Sequence, residues 1–266
     1  MVLSLALGIA VGLIMGLTGA GGGILAVPLL VFGLHLTVAQ AGPVGLLAVG
    51  ISATLGALIG LKDNIVRYRV ALFVAGTGIL MAPLGVWVAQ RLNTRLMSLL
   101  FAAVLAGVAY KTFKESRVLD AIADPKCLVP SCMRDTERGR FVWTLKCAGV
   151  LTLLGGIAGF LSGLLGVGGG FVMVPALQRY TDLTARSVVA TSLAVSALVS
   201  LAGVGSSVAT GQLNIEVGLP FAAGGAAGMG AGVMLSAHLS HRNLKFAFAI
   251  ICAAVSVGMV IKSLGV

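Results

Sequence analysis

The chain has 266 residues, of which 58% are hydrophobic and 10% charged, with a formal net charge of +10. A soluble domain averages about 25% charged residues, so a chain this apolar lacks the polar side chains to cover its own surface; a soluble enzyme, a nucleic-acid-binding domain and a disordered chain are excluded. The 38 glycines show no G-X-Y period and suit helices that approach closely inside a membrane, so the expected fold is an all-α polytopic membrane protein.

The first apolar stretch, residues 1–34, opens without a basic segment, and no cleaved signal peptide is expected. A span needs about 20 apolar residues, so this stretch is too long for one straight crossing and short for two. Its middle reads GLTGAGGGILAVPLL over 16–30, and each glycine inside a helix costs roughly 1 kcal/mol. A break at Gly19–Gly23 is expected, either as a re-entrant hairpin or as one broken crossing, with Pro28 shaping the second arm. Spans at 38–60, 70–90 and 96–113 follow. Residues 114–140 are too polar to span and form a linker. Further apolar stretches cover 141–178, 185–209, 217–238 and 244–264.

The second half repeats the first. Residues 163–177 read GLLGVGGGFVMVPAL, and Gly16, Gly19, Gly21, Gly22, Gly23, Val27, Pro28 and Leu30 recur at a constant offset of 147 as Gly163, Gly166, Gly168, Gly169, Gly170, Val174, Pro175 and Leu177. The same offset pairs Gly8 with Gly155, Gly12 with Gly159 and Gly85 with Gly232. Such internal repeats are frequent in transporters. The expected organisation is a first membrane repeat at 1–113, a linker at 114–140 and a second repeat at 141–266, each repeat holding a Gly-broken hairpin plus three transmembrane helices.

Charge arbitrates between the two forms of the broken stretch. With a hairpin, each half crosses an odd number of times and the repeats are inverted. All of the 18 basic residues except Arg91, Arg95 and Lys262 then fall on the linker side; a single crossing splits them less unevenly, while five full spans per half share the hairpin's parity and its charge split. Cytoplasmic loops collect Lys and Arg, and anionic lipid headgroups favour them. This places the linker in the cytoplasm and both termini outside.

Irregular backbone at membrane depth survives only where it is buried in protein or lines a cavity. A helix restarting near Gly22 or Gly169 presents unsatisfied N–H groups and roughly half a positive charge, which attracts anions without a charged side chain. Glycine also lets a ligand touch the backbone. The candidate substrate contacts are Thr18, Gly19, Gly21, Gly22, Gly23, Gly166, Gly168, Gly169, Gly170, Thr191 and Ser192. Against this, the runs Gly8/Gly12/Gly16 and Gly155/Gly159/Gly163 suit plain helix packing, and the hydroxyls of Thr191 and Ser192 can bond their own helix backbone. Gln40, Gln178, His35, His238 and His241 lie near span ends or loops. Every Asp and Glu also falls in a loop or at a span end, so no catalytic set, metal cluster or cofactor site is visible and an anion or neutral solute suits the site better than a cation. Cys147 and Cys252 read as packed thiols. Cys127 and Cys132 read as free thiols in a reducing compartment, with metal, redox and disulfide roles as alternatives.

The two Gly-rich motifs, the duplicated halves and the segment Val189–Leu193 (VATSL) resemble the TauE/SafE family of sulfite exporters, the TSUP anion permeases. The resemblance covers nearly the whole chain outside the linker. It implies a permease of the bacterial inner membrane, not an enzyme, that moves small sulfur-containing anions such as sulfite, sulfonates or sulfoacetate, most naturally outward. Its partners are the anionic substrate and the lipid bilayer, with a homo-oligomer admitted and no nucleic acid. Half one departs at Pro43-Val44-Gly45, which lacks the hydroxyl pair of Thr191 and Ser192. Import of another small anion, carboxylate or thiosulfate is the alternative. A membrane-embedded redox protein using Cys127 and Cys132 is a third reading.

Overall fold

The computed structural model describes residues 1–118, 145–181, 183–236 and 241–264. Among these residues, ten α-helices and one 3₁₀ segment carry the fold. The first half consists of α1 (Val2–Thr18), the 3₁₀ segment Ala20–Leu25, α2 (Ala26–Gly33), α3 (Val38–Lys62), α4 (Tyr68–Arg91) and α5 (Thr94–Val118). The second half consists of α6 (Leu145–Leu165), α7 (Gly170–Tyr180), α8 (Ala185–Ala209), α9 (Ile215–Ser236) and α10 (His241–Leu264). Helices α3, α4, α5, α6, α8, α9 and α10 are long and apolar enough to cross a membrane. The 17 residues of α1 reach only about 26 Å, short of a hydrocarbon core of about 30 Å.

Helix starts follow from local chemistry. The Thr37 hydroxyl accepts the Gln40 N–H and the Gln40 side chain accepts the Thr37 N–H, a capping box at the head of α3. Its repeat mate Thr184 caps α8 through the Ser187 N–H. Helix α5 continues to Val118, past the expected repeat edge at 113.

The offset of 147 is also a symmetry of packing. A Cβ at Gly8 would meet the Phe221 backbone, at Gly12 that of Gly225 and at Gly16 that of Met229; at Gly155, Gly159 and Gly163 it would meet Val74, Gly78 and Ala82, the repeat mates of those partners. Sequence numbers rise together in both sets, so α1 runs parallel to α9 and α6 parallel to α4. At the centre, Leu46 packs on Gly203 and Leu193 on Gly56, while Gly50 meets Ser200 and Gly60 meets Ala190. Here the numbers run oppositely, so α3 is antiparallel to α8. Ser256 bonding the Ala102 carbonyl and the Phe113–Phe246 ring contact set the same antiparallel register for α5 and α10. The 3₁₀ segment and α2 fold back along α1: Gly22 lies against Met15 and Gly33 against Leu7. The first stretch is thus a hairpin, and Gly169 against Ala158 closes the second hairpin in the same way.

These registers bring Lys62, Arg67, Arg69, Arg179 and Arg186 to one face together with the linker ends. The amino terminus, the α2–α3 loop, Arg91 and Lys262 lie at the other. The Arg91 guanidinium stacks over Trp87, 4.1 Å from the ring centroid. Lys262 Nζ donates to the Val31 carbonyl at 2.9 Å, a cation at the end of α2 where the helix dipole is negative. Burial sorts the layers: 61% of the apolar core of α3 and of α8 is inside the protein, against 28% for α5 and α10. Leu72, Leu80, Leu84, Leu99, Ile250 and Ile261 stay exposed as a belt for lipid.

The glycine seams give a direct test. Gly12→Val would drive a branched side chain into the Gly225 backbone, and neither helix can yield without separating. The detergent-solubilised protein should lose about 3 kcal/mol or more, seen as a large drop in melting temperature. Gly107→Ala, inside α5 with open space around it, should hold or slightly raise that temperature, because alanine favours the helix.

Candidate functional site

Both hairpin tips use backbone that glycine adopts readily. Gly19 ends α1 at φ +80°, and Gly166, Gly168 and Gly169 have φ of +73°, +77° and +71°. After the first tip the chain winds as 3₁₀, with Gly22 N–H bonding the Gly19 carbonyl at 3.2 Å, and becomes α-helical at Ala26. After the second tip α7 begins at Gly170, and the N–H groups of Val172 and Met173 both reach the Gly169 carbonyl. The arms therefore restart at Ala20 and Gly170, close to the expected Gly22 and Gly169. Neither has a side-chain cap, so the leading N–H groups of each are left without a side-chain acceptor.

The two tips meet. A Cβ at Gly23 would lie 3.1 Å from a Val49 methyl and 3.2 Å from the Val167 carbonyl oxygen, and one at Gly168 would lie 2.5 Å from Val49 Cγ1 and 3.0 Å from Ser200 Oγ. Val49 of α3 thus fills the space between Gly23 and Gly168. Each tip also abuts the opposite half's central helix: Gly19 packs on Val189 of α8, and Gly166 packs on Gly42 of α3, the repeat mate of Val189.

The expected contacts divide into three groups. Gly23, Gly166 and Gly168 come together around Val49 and the start of α3, and Gly170 is the buried first residue of α7. Gly22 and Gly169 face their own hairpins' first arms, while Gly21 looks toward the Phe248 ring at 3.8 Å. The three hydroxyls have protein partners: Thr18 Oγ1 donates to the Ile14 carbonyl (2.7 Å), Ser192 Oγ donates to the Val189 carbonyl (2.8 Å), and Thr191 Oγ1 accepts the Arg67 N–H (3.2 Å). Thr191 thus caps the head of α4 from another helix.

The side chains of Ser162, Ser196 and Ser200 escaped the sequence reading. Each hydroxyl is buried and meets no hydrogen-bond partner. The signal was present: Ser192, Ser196 and Ser200 recur every fourth residue along α8, and at an offset of 147 α3 places Gly45, Val49 and Ala53. A small cavity of about 20 Å³ opens near the second tip toward the face of the termini, lined in part by Gly42, Pro43, Leu46, Leu164, Ser207 and Gln212. It holds about one water.

One cysteine expectation is corrected: Cys147, read as a packed thiol, is buried but disulfide-bonded. Its apolar flanks concealed the pairing, because a half-cystine is as much at home among apolar side chains as a thiol. Cys252 is a buried free thiol. Cys127, Cys132 and His238 lie outside the described residues. Among the described residues, no three His, Cys, Asp or Glu side chains are placed to hold a metal ion.

Among the described residues, seven membrane-length helices and two broken hairpins that meet at the centre define a polytopic membrane protein. The family model "Sulfite exporter TauE/SafE" matches residues 4–259, and the chain belongs to that family. A probable membrane transporter protein of Xylella fastidiosa (strain Temecula1) is 27% identical over 256 residues, 95% of this chain and 92% of the relative. The probable membrane transporter protein YunE of Bacillus subtilis (strain 168) is 25% identical over 221 residues, 80% of each. No solved structure matches the chain.

Proposed function

We propose that this protein is an inverted-repeat permease of the bacterial inner membrane for a small sulfur oxyanion or sulfonate, with sulfite the first substrate to test. The observation that carries the reading is the meeting of the first hairpin's second arm, at Gly23, with the second tip at Val167 and, through Val49, at Gly168. The uncapped start of each second arm lies within a few residues of this contact, and backbone N–H groups so placed would favour an anion without a charged side chain, in a medium that penalises buried cations. The opposed directions of α3 and α8, and of α5 and α10, support inverted repeats. The gathering of Lys62, Arg67, Arg69, Arg179 and Arg186 at the linker face supports a cytoplasmic linker with both termini outside; the disulfide of Cys147 at that same face is the observation that counts against it, since a reducing cytoplasm keeps thiols free. The two halves would rock about the α3–α8 contact to expose the centre to each side in turn. Family resemblance favours export, and the imposed gradient sets the direction in any assay.

Among the described residues no acidic side chain stands at the centre to relay protons, so the substrate itself would carry the coupling proton. Sulfite efflux from proteoliposomes is therefore expected to change severalfold when a pH gradient is imposed; equal fluxes with and without the gradient would refute this coupling. Competition of labelled sulfite by sulfonates, sulfate, thiosulfate and lactate then ranks the substrates. Strong competition by lactate with none by sulfonates would favour a carboxylate permease on the same framework.

A further inference from the structure

We propose that Ser196 and Ser200 are the substrate hydroxyls of this transporter, donating two hydrogen bonds to a small oxyanion held between the hairpin tips. The inference rests on the reading of the tips as an anion site and supplies its specificity. Ser196 is 1% exposed and Ser200 0% exposed, and neither hydroxyl has a partner. A buried hydroxyl left unpaired costs about 1–3 kcal/mol, and such costs persist where a ligand uses the group. The neighbouring hydroxyls behave differently: Ser192, Ser206 and Ser207 on the same helix all donate to a carbonyl one turn back.

Position says what the two hydroxyls face. At 3.6 residues per turn, Val189, Ser196 and Ser200 fall within an arc of about 40° on α8. Val189 touches Gly19 of the first tip, and Ser200 Oγ is 3.0 Å from where a Cβ on Gly168 of the second tip would stand. Ser196 therefore lies on the line from one tip to the other, and Ser200 stands beside the uncapped start of α7. The geometry joins two side-chain O–H donors to backbone N–H donors, the set an oxyanion needs and a cation does not. The equivalent line on α3 carries Gly42, Val49 and Ala53, so only α8 supplies hydroxyls and the anion sits off the pseudo-symmetry axis, toward α8.

The test uses the full chain in proteoliposomes with sulfite as the probe, and melting temperature as a second readout. Ser196→Ala and Ser200→Ala should each raise the KM for sulfite about tenfold, and the double variant about a hundredfold or to loss of flux. Melting temperature without substrate should hold or rise, because an unpaired buried hydroxyl is removed. Ser256→Ala, which breaks the bond to the Ala102 carbonyl, should do the reverse: lower melting temperature at unchanged KM. Sulfite should raise the melting temperature of the wild type but not of the double variant. If the wild type carries sulfite and the double variant keeps its KM within twofold, the assignment of the hydroxyls is overturned while the anion site stands. If the variants melt lower and keep KM, the serines are packing groups. If the wild type neither carries nor is stabilised by sulfite, the proposed substrate falls and this assignment with it.

Discussion

Gly168→Ala is expected to abolish sulfite flux, while Gly21→Ala leaves flux within about twofold of wild type. Both glycines come from the same motif at equivalent repeat positions, and composition alone would treat them alike. Gly168 has φ +77°, where an L side chain costs about 1–2 kcal/mol. The added methyl would also stand 2.5 Å from Val49 Cγ1 and 3.0 Å from Ser200 Oγ, too close for any packing without movement. Gly21 lies in the 3₁₀ segment without a positive φ, and the nearest atom to its added methyl is the Phe248 ring at 3.8 Å, an ordinary contact. The measurement is initial flux per reconstituted protein, with size-exclusion profiles showing that each variant is folded. Adding Val49→Ala to Gly168→Ala removes the hard collision but not the backbone strain, so the pair should regain part of the flux. Wild-type flux in Gly168→Ala would show that the second tip has no part in the path. Loss of flux in folded Gly21→Ala would show instead that substrate touches the first tip at Gly21.

The sequence carried much of this fold because duplication leaves a register. The offset of 147 read from Gly8, Gly12 and Gly85 reappears as paired contacts: Gly12 on Gly225 and Gly159 on Gly78, Leu46 on Gly203 and Leu193 on Gly56. A glycine that must admit a neighbouring backbone cannot drift, so close helix packing preserves the pattern. The hairpin was legible from the length of 1–34 and from the distribution of Lys and Arg. The hydroxyls were harder. Thr191, Ser192, Ser196 and Ser200 are chemically alike in a string, and each can bond its own helix. Which hydroxyl is satisfied depends on the rotation of α8 and on a distant loop: Thr191 is occupied because the Arg67 N–H arrives from the head of α4, a contact between residues far apart in sequence. Likewise Gly22 and Gly169 were indistinguishable from Gly23 and Gly168 until the hairpins closed and turned the first pair toward their own arms.

Val49 holds the centre of the path, and its size should set what passes. It is 1% exposed, and its two methyls lie against Gly23 and Gly168, one from each tip. Its repeat mate is Ser196, so the line that is polar on α8 is closed by an aliphatic side chain on α3. Val49→Phe places a ring where the tips meet; overpacking costs about 1–3 kcal/mol, so the protein should still fold, with sulfite flux down at least a hundredfold. Val49→Ala removes two methyls and opens a cavity beside Gly168, at a stability cost on the order of 1–3 kcal/mol. Flux should persist in that variant, but discrimination of sulfite against chloride and other small anions should weaken, because the narrowest contact has widened while the Ser196 and Ser200 donors remain. Paired measurements of sulfite and chloride flux in the same vesicles read the ratio directly. Phe at 49 with undiminished sulfite flux would mean that the anion does not pass between Gly23 and Gly168, where this side chain stands.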